Sequence, residues 1–545
     1  MEHEQYDDEY YDDDDGQYQL GEPRDYVMSE AMHMNLLYLG QAIRDGNIAE
    51  MQNIYEMSLV NLMDQYDNKL PPPNAPEIME ILADDELLII IYKELYYRQI
   101  YATAKASNEI TLEERFSSYY NYVNLFNYIL SSQGPVSLDL PNQWLWEIMD
   151  DFVYQFQSFS TFLYNIQKMT EDEMAACQAH PKMWNVHSVL NVLHSLVQKS
   201  NINQQLEVFS RGGNPDEVAG EYGSRSLYKM LGYFSLIALL RLHSQLGDYY
   251  QAIKVLQHLE LNRKGLSRVP ACQVSTYYYV GFAYMMMRRY EDAIRTFSNV
   301  LVYIGRAKTS FQSSRSYQQR QMNNQTEKMY ALLSICMVLH PQRMDESVLQ
   351  QLKLKHSENM LKMSQGDIDT FERQFSAGCP RFLSPVSPFT HDIQSMEPED
   401  IEALSAQPQQ QQWRAFRGEV LAQMNIPTIR SFLKLYTTMP VEKLTKFVTP
   451  PLSLIEEGKA CSEQDLLKHS HRQLMCFKHL MSNVVCTGGG SLDGEFQTGS
   501  DMDFFIDKDM IHIADTKIAR KYGEFFAKQY NRFEEWYETV KKLQL

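Results

Sequence analysis

The sequence predicts a mostly α-helical protein, in which a right-handed, tetratricopeptide-like solenoid of helical repeats is followed by a winged-helix domain with a small β-hairpin and a long C-terminal helix. Three observations support this fold class. A helical spacing of apolar residues dominates to about residue 470, a pattern recurs after 41 residues between Leu231 and Tyr303, and a strand pair is predicted near the C-terminus. This order of parts is typical of a protein that assembles with others.

The first 25 residues are strongly acidic. They hold eleven acidic side chains against Arg24 alone, which accounts for half of the net charge of −20. Because this segment has no aliphatic run to bury, residues 1–25 are predicted to be disordered. A solubilising extension is favoured over a specific acidic docking segment.

Length and cysteine content indicate the general class. A chain of 545 residues exceeds what one hydrophobic core serves, so two or three domains are expected. The seven cysteines are scattered without a C-x-x-C pair and no apolar leader precedes them, which predicts a reducing, cytoplasmic location. The longest apolar run, from Leu87 to Tyr92, is too short to cross a membrane.

Residues 26–205 are predicted to form an N-terminal helical region that is rich in aromatic residues. Spacings such as Tyr122, Phe126 and Ile129 place rings on one face of a helix. Few lysines or arginines accompany these rings, so packing in a core is favoured over stacking on nucleic-acid bases.

Residues 206–364 are predicted to form tetratricopeptide-like helical repeats. A shift of 41 residues matches Tyr249 with Tyr290, Ala252 with Ala293 and Ile253 with Ile294. The small alanines let paired helices approach closely, although the usual period of that repeat family is shorter. Each pair alone would leave an apolar face uncovered, so the pairs are expected to stack as a solenoid.

Order is predicted to weaken in residues 365–425. The segment from Cys379 to Pro388 is interrupted by prolines, and the segment from Gln407 to Gln412 is of low complexity. This region is therefore interpreted as a loop or linker, with a simple insertion favoured over a hinge.

Residues 426–515 are predicted to form the winged helix, and residues 516–545 a C-terminal helix. Helical segments are predicted from Thr428 to Val448 and from Ser462 to Val485. Two runs rich in Phe and Ile, within Met502 to Ile513, flank a polar turn and indicate the β-hairpin.

The histidine pair His469-Ser-His471 has the spacing of a two-histidine zinc motif found in metalloproteases. The carboxylate ligand that should follow is missing, since Ser482 stands in its place. The apolar spacing around the pair also predicts a helix rather than the end of a strand. A zinc site is therefore not favoured.

Two further arrangements could suggest a bound ion. One group lacks the paired close spacing of structural zinc: Cys461, Cys476, His479 and Cys486. The segment from Thr487 to Ser491 lacks the lysine of a phosphate-binding loop. The sequence therefore predicts no enzyme activity, no cofactor and no metal.

Charge argues against DNA binding. From Ser491 to Asp515 there are seven acidic residues against Lys508 alone, and phosphates would repel such a hairpin. The last helix, from Lys517 to Lys542, holds seven basic residues against four acidic ones, so weak or indirect RNA contact stays open. Its apolar residues form a seam that favours another helix as the partner.

Five segments of the chain resemble one known family. They are Leu140–Trp146, Trp184–His194, Leu227–Phe234, Ser431–Pro440 and Ile506–Asp515. They closely resemble the L subunits of eukaryotic translation initiation factor 3, a family with a PCI domain, and the likeness covers nearly the whole chain after the acidic tail. Two stretches depart from the expected pattern, residues 449–460, which look like an insertion, and the glutamine run.

The resemblance implies a function in assembly. It implies a non-catalytic scaffold subunit that packs against other subunits of initiation factor 3, especially those with PCI domains. Through the assembled factor, the chain would support binding to the small ribosomal subunit and recruitment of mRNA and initiator tRNA. Two alternatives stay open, a PCI scaffold subunit of another large complex, of the proteasome-lid or signalosome type, and a metallo-hydrolase built on the histidine pair.

Interface residues are predicted on two elements. Unpaired edge strands invite pairing, so Phe505, Ile511 and Ile513 of the hairpin are expected at an interface. The seam of the last helix supplies the second set: Phe525, Phe526, Phe533 and Trp536. An Ile511→Asp change is expected to release the partner while the solenoid stays folded. Neither a membrane nor DNA is an expected partner.

Overall fold

The computed structural model describes most of the chain. The described residues are 30–58, 70, 72–82, 85–104, 110–259, 269–311, 316–390, 398–447, 463–480, 482–485, 492–498 and 502–515, together with 525, 526, 528–530, 532–534, 536, 537, 540 and 541. The predicted acidic tail and the insertion at 449–460 lie outside them, as do Cys461, Cys486 and residues 487–491.

The protein is mostly helical, with a small antiparallel sheet of three strands and a separate strand pair. The helices of the first half are α1 Glu30–Asp45, α2 Ile48–Asn53, α3 Pro76–Leu82, α4 Glu86–Thr103, α5 Leu112–Ser131, α6 Asn142–Tyr164, α7 Glu171–Ala179, α8 Val186–Ser200, α9 Ile202–Ser210, α10 Gly220–Gly223 and α11 Ser226–Leu246. None of the described helices combines the length and apolar character needed to cross a bilayer.

The second half contains the remaining helices and all the described strands. The helices are α12 Tyr249–Lys254, α13 Pro270–Met286, α14 Tyr290–Phe311, α15 Ser316–Leu339, α16 Glu346–Ser364, α17 Ile368–Gly378, α18 Pro398–Gln423, α19 Ile426–Leu435, α20 Val441–Thr445 and α21 Glu463–Leu480. The strands are β1 Thr438–Pro440, β2 Ser482–Val485, β3 Glu495–Thr498, β4 Met502–Asp507 and β5 Met510–Asp515.

Side-chain caps determine where several N-terminal helices begin. Thr111 and Glu114 form a reciprocal capping box at the start of α5, and Thr170 and Glu173 form another at α7. Asp85 caps α4 through one backbone N–H group. These side chains satisfy backbone donors that the first turn of a helix leaves without an internal partner.

Aromatic residues fill the core of the N-terminal region, as the sequence predicts. Trp144 is fully buried and stacks on Tyr55 with 4.5 Å between ring centroids. Tyr122 lies 5.2 Å from Phe152 and 6.0 Å from Trp184, again between ring centroids. Packing between helices that are distant in sequence therefore accounts for these rings.

A polar network crosses the same core. Arg98 donates to Glu94 from Nε at 2.9 Å and to Glu147 from Nη1 at 2.6 Å. The carboxylate of Asp151 accepts from Gln155 Nε2 at 2.6 Å. Burial raises the pKa of Asp151 to about 7, although the positive charge of Arg98 opposes this shift. The Arg98 guanidinium thus binds two enclosed carboxylates directly and acts through its charge on Asp151, which titrates near neutral pH.

The residues of the predicted 41-residue repeat occupy equivalent positions. Tyr249 and Tyr290 are the first residues of α12 and α14, and in both cases the preceding helix packs against the helix that begins there. Ala252 and Ala293 are fully buried, so the small side chains lie where paired helices meet. The two helix pairs, α11 with α12 and α13 with α14, are therefore structural counterparts.

Residues 365–425, predicted as a loop or linker, instead hold two helices, α17 and α18. The 26-residue α18 carries the glutamine run and has Pro408 inside it. Trp413, Phe416 and Val420 of α18 are buried in the main core. Their spacing of three and four residues is helical, and their burial outweighs the cost of an internal proline.

The last part, residues 426–515, has a small core of its own. Its buried apolar residues are Ile429, Leu433, Met439, Val441, Leu444, Leu474, Phe477, Phe504 and Ile511. The three-stranded sheet has the order β1-β5-β4, and β2 pairs with β3, all antiparallel. The hairpin predicted between Met502 and Ile513 is confirmed as β4 and β5.

Two or three helical segments are predicted around this core, and the described part of the chain has three, with strands that the prediction lacks. The stretch from Thr428 to Val448 holds α19 and α20 with β1 between them, and Met439 of β1 pairs with Ile511. The helix predicted from Ser462 to Val485 ends at Leu480, because β2 follows and pairs with β3. Strand pairing with distant residues overrides the local helical spacing at both places.

Candidate interaction surface

A two-residue turn determines which side chains of the hairpin face outward. Lys508, with a φ of 53°, and Asp509 connect β4 to β5. The register pairs Phe505 with His512, the residue that follows Ile511. Because side chains alternate along a strand, Phe505 and His512 share one face, and Ile511 points to the other.

Ile511 and Ile513 do not lie on an exposed edge, contrary to the prediction. Ile511 is fully buried in the small core, and Ile513 packs against that core while keeping some exposure. Both belong to β5, the central strand of its sheet, because β1 covers the edge that the hairpin alone would leave open. An Ile511→Asp change is therefore expected to disrupt the small core itself, since it would bury a charge without a partner.

Phe505 has the exposed position that the prediction requires. Its side chain is 56% exposed and stacks on His512 with 4.9 Å between ring centroids. It belongs to β4, whose outer edge pairs with no other strand in the described part of the chain. Lys478 of α21 donates to the Phe504 carbonyl and lies 3.4 Å from the carboxylate of Asp503. A lysine at an open edge limits unspecific strand pairing, so this edge is only partly available.

The second predicted surface lies near the C-terminus, where the described residues between 525 and 541 are helical. All four side chains predicted for an interface are more than half exposed: Phe525 (55%), Phe526 (66%), Phe533 (64%) and Trp536 (64%). Exposure of several large aromatic side chains on helical residues that are close in sequence is unusual for a surface that faces only water.

The exposed residues of this helix follow a heptad pattern, which the sequence-based list captured only in part. Five of them are separated by alternating steps of four and three residues: Phe526, Tyr530, Phe533, Tyr537 and Val540. These five residues are named the C-terminal seam. Steps of four and three are the a and d positions of a coiled coil, in which one helix packs along another. Counting these steps in the sequence would have added Tyr530, Tyr537 and Val540.

Comparison with known proteins decides the family. A family model described as RNA polymerase I-associated factor PAF67 matches residues 114–533, more than half of the chain. Subunit L of eukaryotic translation initiation factor 3 from Danio rerio is 54% identical over 496 residues, which cover 91% of this chain and 82% of the relative. The chain belongs to the family of L subunits of eukaryotic translation initiation factor 3. The subunit L of Homo sapiens is also 54% identical, over 495 residues that cover 90% of this chain and 83% of the relative.

Membership in the L-subunit family confirms the resemblance of the five sequence segments. The match to the family model begins inside α5 and ends at Phe533, so it includes the small core and the part of the main core that follows α4. Phe505 and Phe526 of the two exposed surfaces lie within it.

The described residues of the histidine pair and of the cysteine and histidine group in this L-subunit family member lie on one helix. His469 and His471 lie on α21, where burial and the nearby charge of Arg472 lower the pKa of His469. Cys476 and His479 are exposed on the same helix. In the described part of the chain, no group of three or more His, Cys, Asp or Glu residues is placed to hold a metal ion.

Proposed function

We propose that this chain is a non-catalytic scaffold subunit of eukaryotic translation initiation factor 3 that works in the cytoplasm. The observation that carries the proposal is the C-terminal seam, a heptad of large side chains that are all more than half exposed. Burying such side chains against another helix stabilises an assembly by about 25 cal/mol for each Å² of apolar surface removed from water. The partners are helices of other subunits with the same spacing of apolar residues.

The small core is proposed to be the winged helix of a PCI domain. Its element order is helix, short strand, two helices, the β2–β3 pair and the β4–β5 hairpin, and β1 lies beside β5 in the three-stranded sheet. This order supports the assignment because a winged helix places its first short strand next to the last strand of its wing. The open edge of β4, with Phe505, would then meet a PCI subunit by strand addition.

The main helical core is proposed to be a right-handed solenoid. The equivalent positions of Ala252 and Ala293 support this proposal, because repeated pairs bury one continuous core by stacking. A solenoid offers an extended surface for other subunits, which suits a scaffold. Binding to the small ribosomal subunit and recruitment of mRNA and initiator tRNA would follow from the assembled factor, with any RNA contact weak or indirect.

Affinity capture of the tagged full-length chain from cell extract tests this function. We expect recovery of initiation factor 3 subunits with the wild type and their loss with Phe533→Asp, which places a charge in the middle of the C-terminal seam. Leu354→Asp is the matched control, because Leu354 is 77% exposed on α16 and lies outside the seam.

Three results would contradict the proposal. The first is recovery of the wild-type chain alone. The second is its recovery with proteasome-lid or signalosome subunits, as the alternative predicts. Equal recovery of partners by the Phe533→Asp and Leu354→Asp variants would show that the seam does not carry the assembly.

A further inference from the structure

Two turns of the repeat share an uncommon backbone conformation but carry different residues. Gly247 connects α11 to α12 with a φ of 83°, and Arg288, 41 residues later, connects α13 to α14 with a φ of 64°. Glycine adopts this left-handed conformation without strain, whereas a residue with a Cβ does so at an energetic cost. A strained non-glycine residue in a turn points to a use for its side chain.

The side chain of Arg288 binds α18. Its guanidinium pairs with the carboxylate of Glu419, four residues before the end of that helix. Only Met424 and Asn425 separate Gln423 from Ile426, where α19 begins and the small core starts. Arg288 therefore contacts the main core and the last turn of the helix that leads into the small core.

The next residue, Arg289, reaches the segment that leads into β3, at Leu492 and Asp493. It lies with its guanidinium over the ring of Tyr284 at 4.8 Å and pairs with Asp292 at 2.7 Å. Its Nη1 donates to the carbonyl of Leu492 and its Nη2 to the carbonyl of Asp493, both at 3.3 Å. These carbonyls lie just before β3, so Arg289 connects the helix pair α13–α14 to the chain that precedes the β4–β5 hairpin of the small core.

The position of α18 explains why one helix can contact successive turns. Gln412 of α18 accepts from Tyr249 at 2.6 Å, and a side chain at Gly247 would collide with the amide of Gln412. Glu419 lies seven residues further along, which is about 10.5 Å of helix. Packed helices lie about 8–10 Å apart, so a seven-residue step on α18 matches the distance between neighbouring helix pairs.

We propose that Arg288 and Arg289 form a two-arginine clasp that fixes the orientation of the small core on the helical repeats. Arg288 holds α18, which leads into α19 of the small core, through Glu419, and Arg289 holds the segment before β3 and the β4–β5 hairpin through the carbonyls of Leu492 and Asp493. The clasp keeps the open β4 edge in a constant position relative to the helical repeats. Its consequence for assembly rests on the function proposed above, whereas the clasp itself does not.

Hydrogen–deuterium exchange of the purified full chain tests the clasp through Arg288→Gly. The Arg288→Gly variant relieves the strain of the turn, and it also removes the ion pair with Glu419. The stability of the chain and the orientation of the small core should therefore change independently. We expect the midpoint of thermal unfolding to stay within about 2 °C of the wild type. Backbone amides of α19 and of β2 and β3 should exchange up to about fivefold faster, as the loss of one partly exposed ion pair allows.

Two further variants separate the parts of the clasp. Glu419→Gln should reproduce the faster exchange of Arg288→Gly, and the double variant should add little to either one, because both remove the same contact. Arg289→Lys keeps a positive charge beside Asp292 but cannot bind both carbonyls, so β3 should exchange faster while α19 changes less. The matched control is Lys362→Ala, which removes the exposed Lys362–Glu358 pair within α16 and should leave both regions unchanged.

Unchanged exchange of α19 and β3 in Arg288→Gly and Arg289→Lys would overturn the clasp. Faster exchange along the whole chain, with an unfolding midpoint more than about 5 °C lower, would overturn it as well, since Arg288 would then stabilise the repeats in general. Failure of the wild-type chain to recover initiation factor subunits would refute the proposed function and leave these exchange results intact.

Discussion

Phe505 and Ile511 lie on opposite faces of the β4–β5 pair, although they are six positions apart in the sequence. The two-residue turn at Lys508 and Asp509 causes this, because it places Phe505 opposite His512 rather than opposite Ile511. One hairpin can therefore serve the small core with one face and a partner with the other. The two residues are expected to respond differently to mutation.

Replacing Ile511 with Ala is expected to destabilise the small core by about 2–5 kcal/mol, because the side chain is fully buried and its removal leaves a cavity. Phe505→Ala should change stability by less than about 0.5 kcal/mol, since most of its ring is exposed. Native-state hydrogen exchange of α19 and β5 measures both effects. Equal losses of stability in the two variants would contradict the assignment of faces.

The C-terminal seam is expected to contribute to binding and not to the stability of the free chain. Tyr537→Ala should leave thermal unfolding of the isolated chain unchanged, because Tyr537 is 66% exposed. Association with the partner helices should weaken about tenfold or more, as for a buried aromatic contact at an interface. Titration of the labelled chain into the remaining subunits measures the change in Kd.

The conservative variant Tyr537→Phe is the control for that measurement, since it keeps the ring and the heptad spacing. Its Kd should stay within about threefold of the wild-type value. A loss equal to that of Tyr537→Ala would mean that the hydroxyl group, and not the apolar seam, makes the contact.

Asp151 is expected to make stability depend on pH. Its pKa is about 7 in the folded protein, against 3.8 as the ordinary value, so the carboxyl group binds a proton more tightly when folded. Its contribution to stability is complete below about pH 4 and is lost as the pH rises through 7. The loss of unfolding free energy should lie near the lower end of a range of about 2–4 kcal/mol, because Asp151 keeps some solvent contact.

Asp151→Asn should remove this dependence. The amide oxygen can still accept from Gln155 and from Tyr122, which lies 3.1 Å from the carboxylate. The variant should therefore gain stability relative to the wild type between pH 4 and 7, with no further gain above pH 8. Urea unfolding at several pH values gives this difference, and a constant difference across the range would disprove it.

The ion pair between Arg241 and Asp150 is expected to couple α11 to α6. Arg241 Nη1 lies 2.7 Å from Asp150 Oδ1, and both side chains are largely buried. Arg241→Met should cost about 3–5 kcal/mol, because it leaves an enclosed carboxylate without its cation. Adding Asp150→Asn should recover part of that loss in urea unfolding, and strictly additive losses would exclude coupling.

The sequence predicts the helical repeats well because their determinants are local. Tyr249 and Tyr290 start helices at the expected places, and the alanines three residues later are buried as their size suggests. The same reasoning fails for β1, which has three residues and ends in Pro440. Only its pairing with β5, about seventy residues away, makes it a strand, and no local pattern records such a pairing.

The sequence predicts the exposed residues of the hairpin only in part, again because local patterns do not record contacts with distant residues. Phe505 was assigned correctly to the exposed part of the hairpin, but the burial of Ile511 depends on α21 and β1, which pack from distant parts of the chain. The helix α18 was missed because glutamines hide its period. Trp413, Phe416 and Val420 carry that period, but only contact with the main core shows that they are enough to order the helix.

The glutamine run of α18 lies where a change in the length of this helix would have a large structural effect. One glutamine added to the run from Gln409 to Gln412 would still leave a glutamine beside Tyr249. The residues of α18 before the added glutamine would rotate by about 100° around the helix axis relative to those after it, because one residue is 1/3.6 of a turn. Leu404 and Gln407, which line a groove beside Leu383, would then face a different direction. The insertion of one residue in this run is therefore expected to act like a substitution at several distant positions at once.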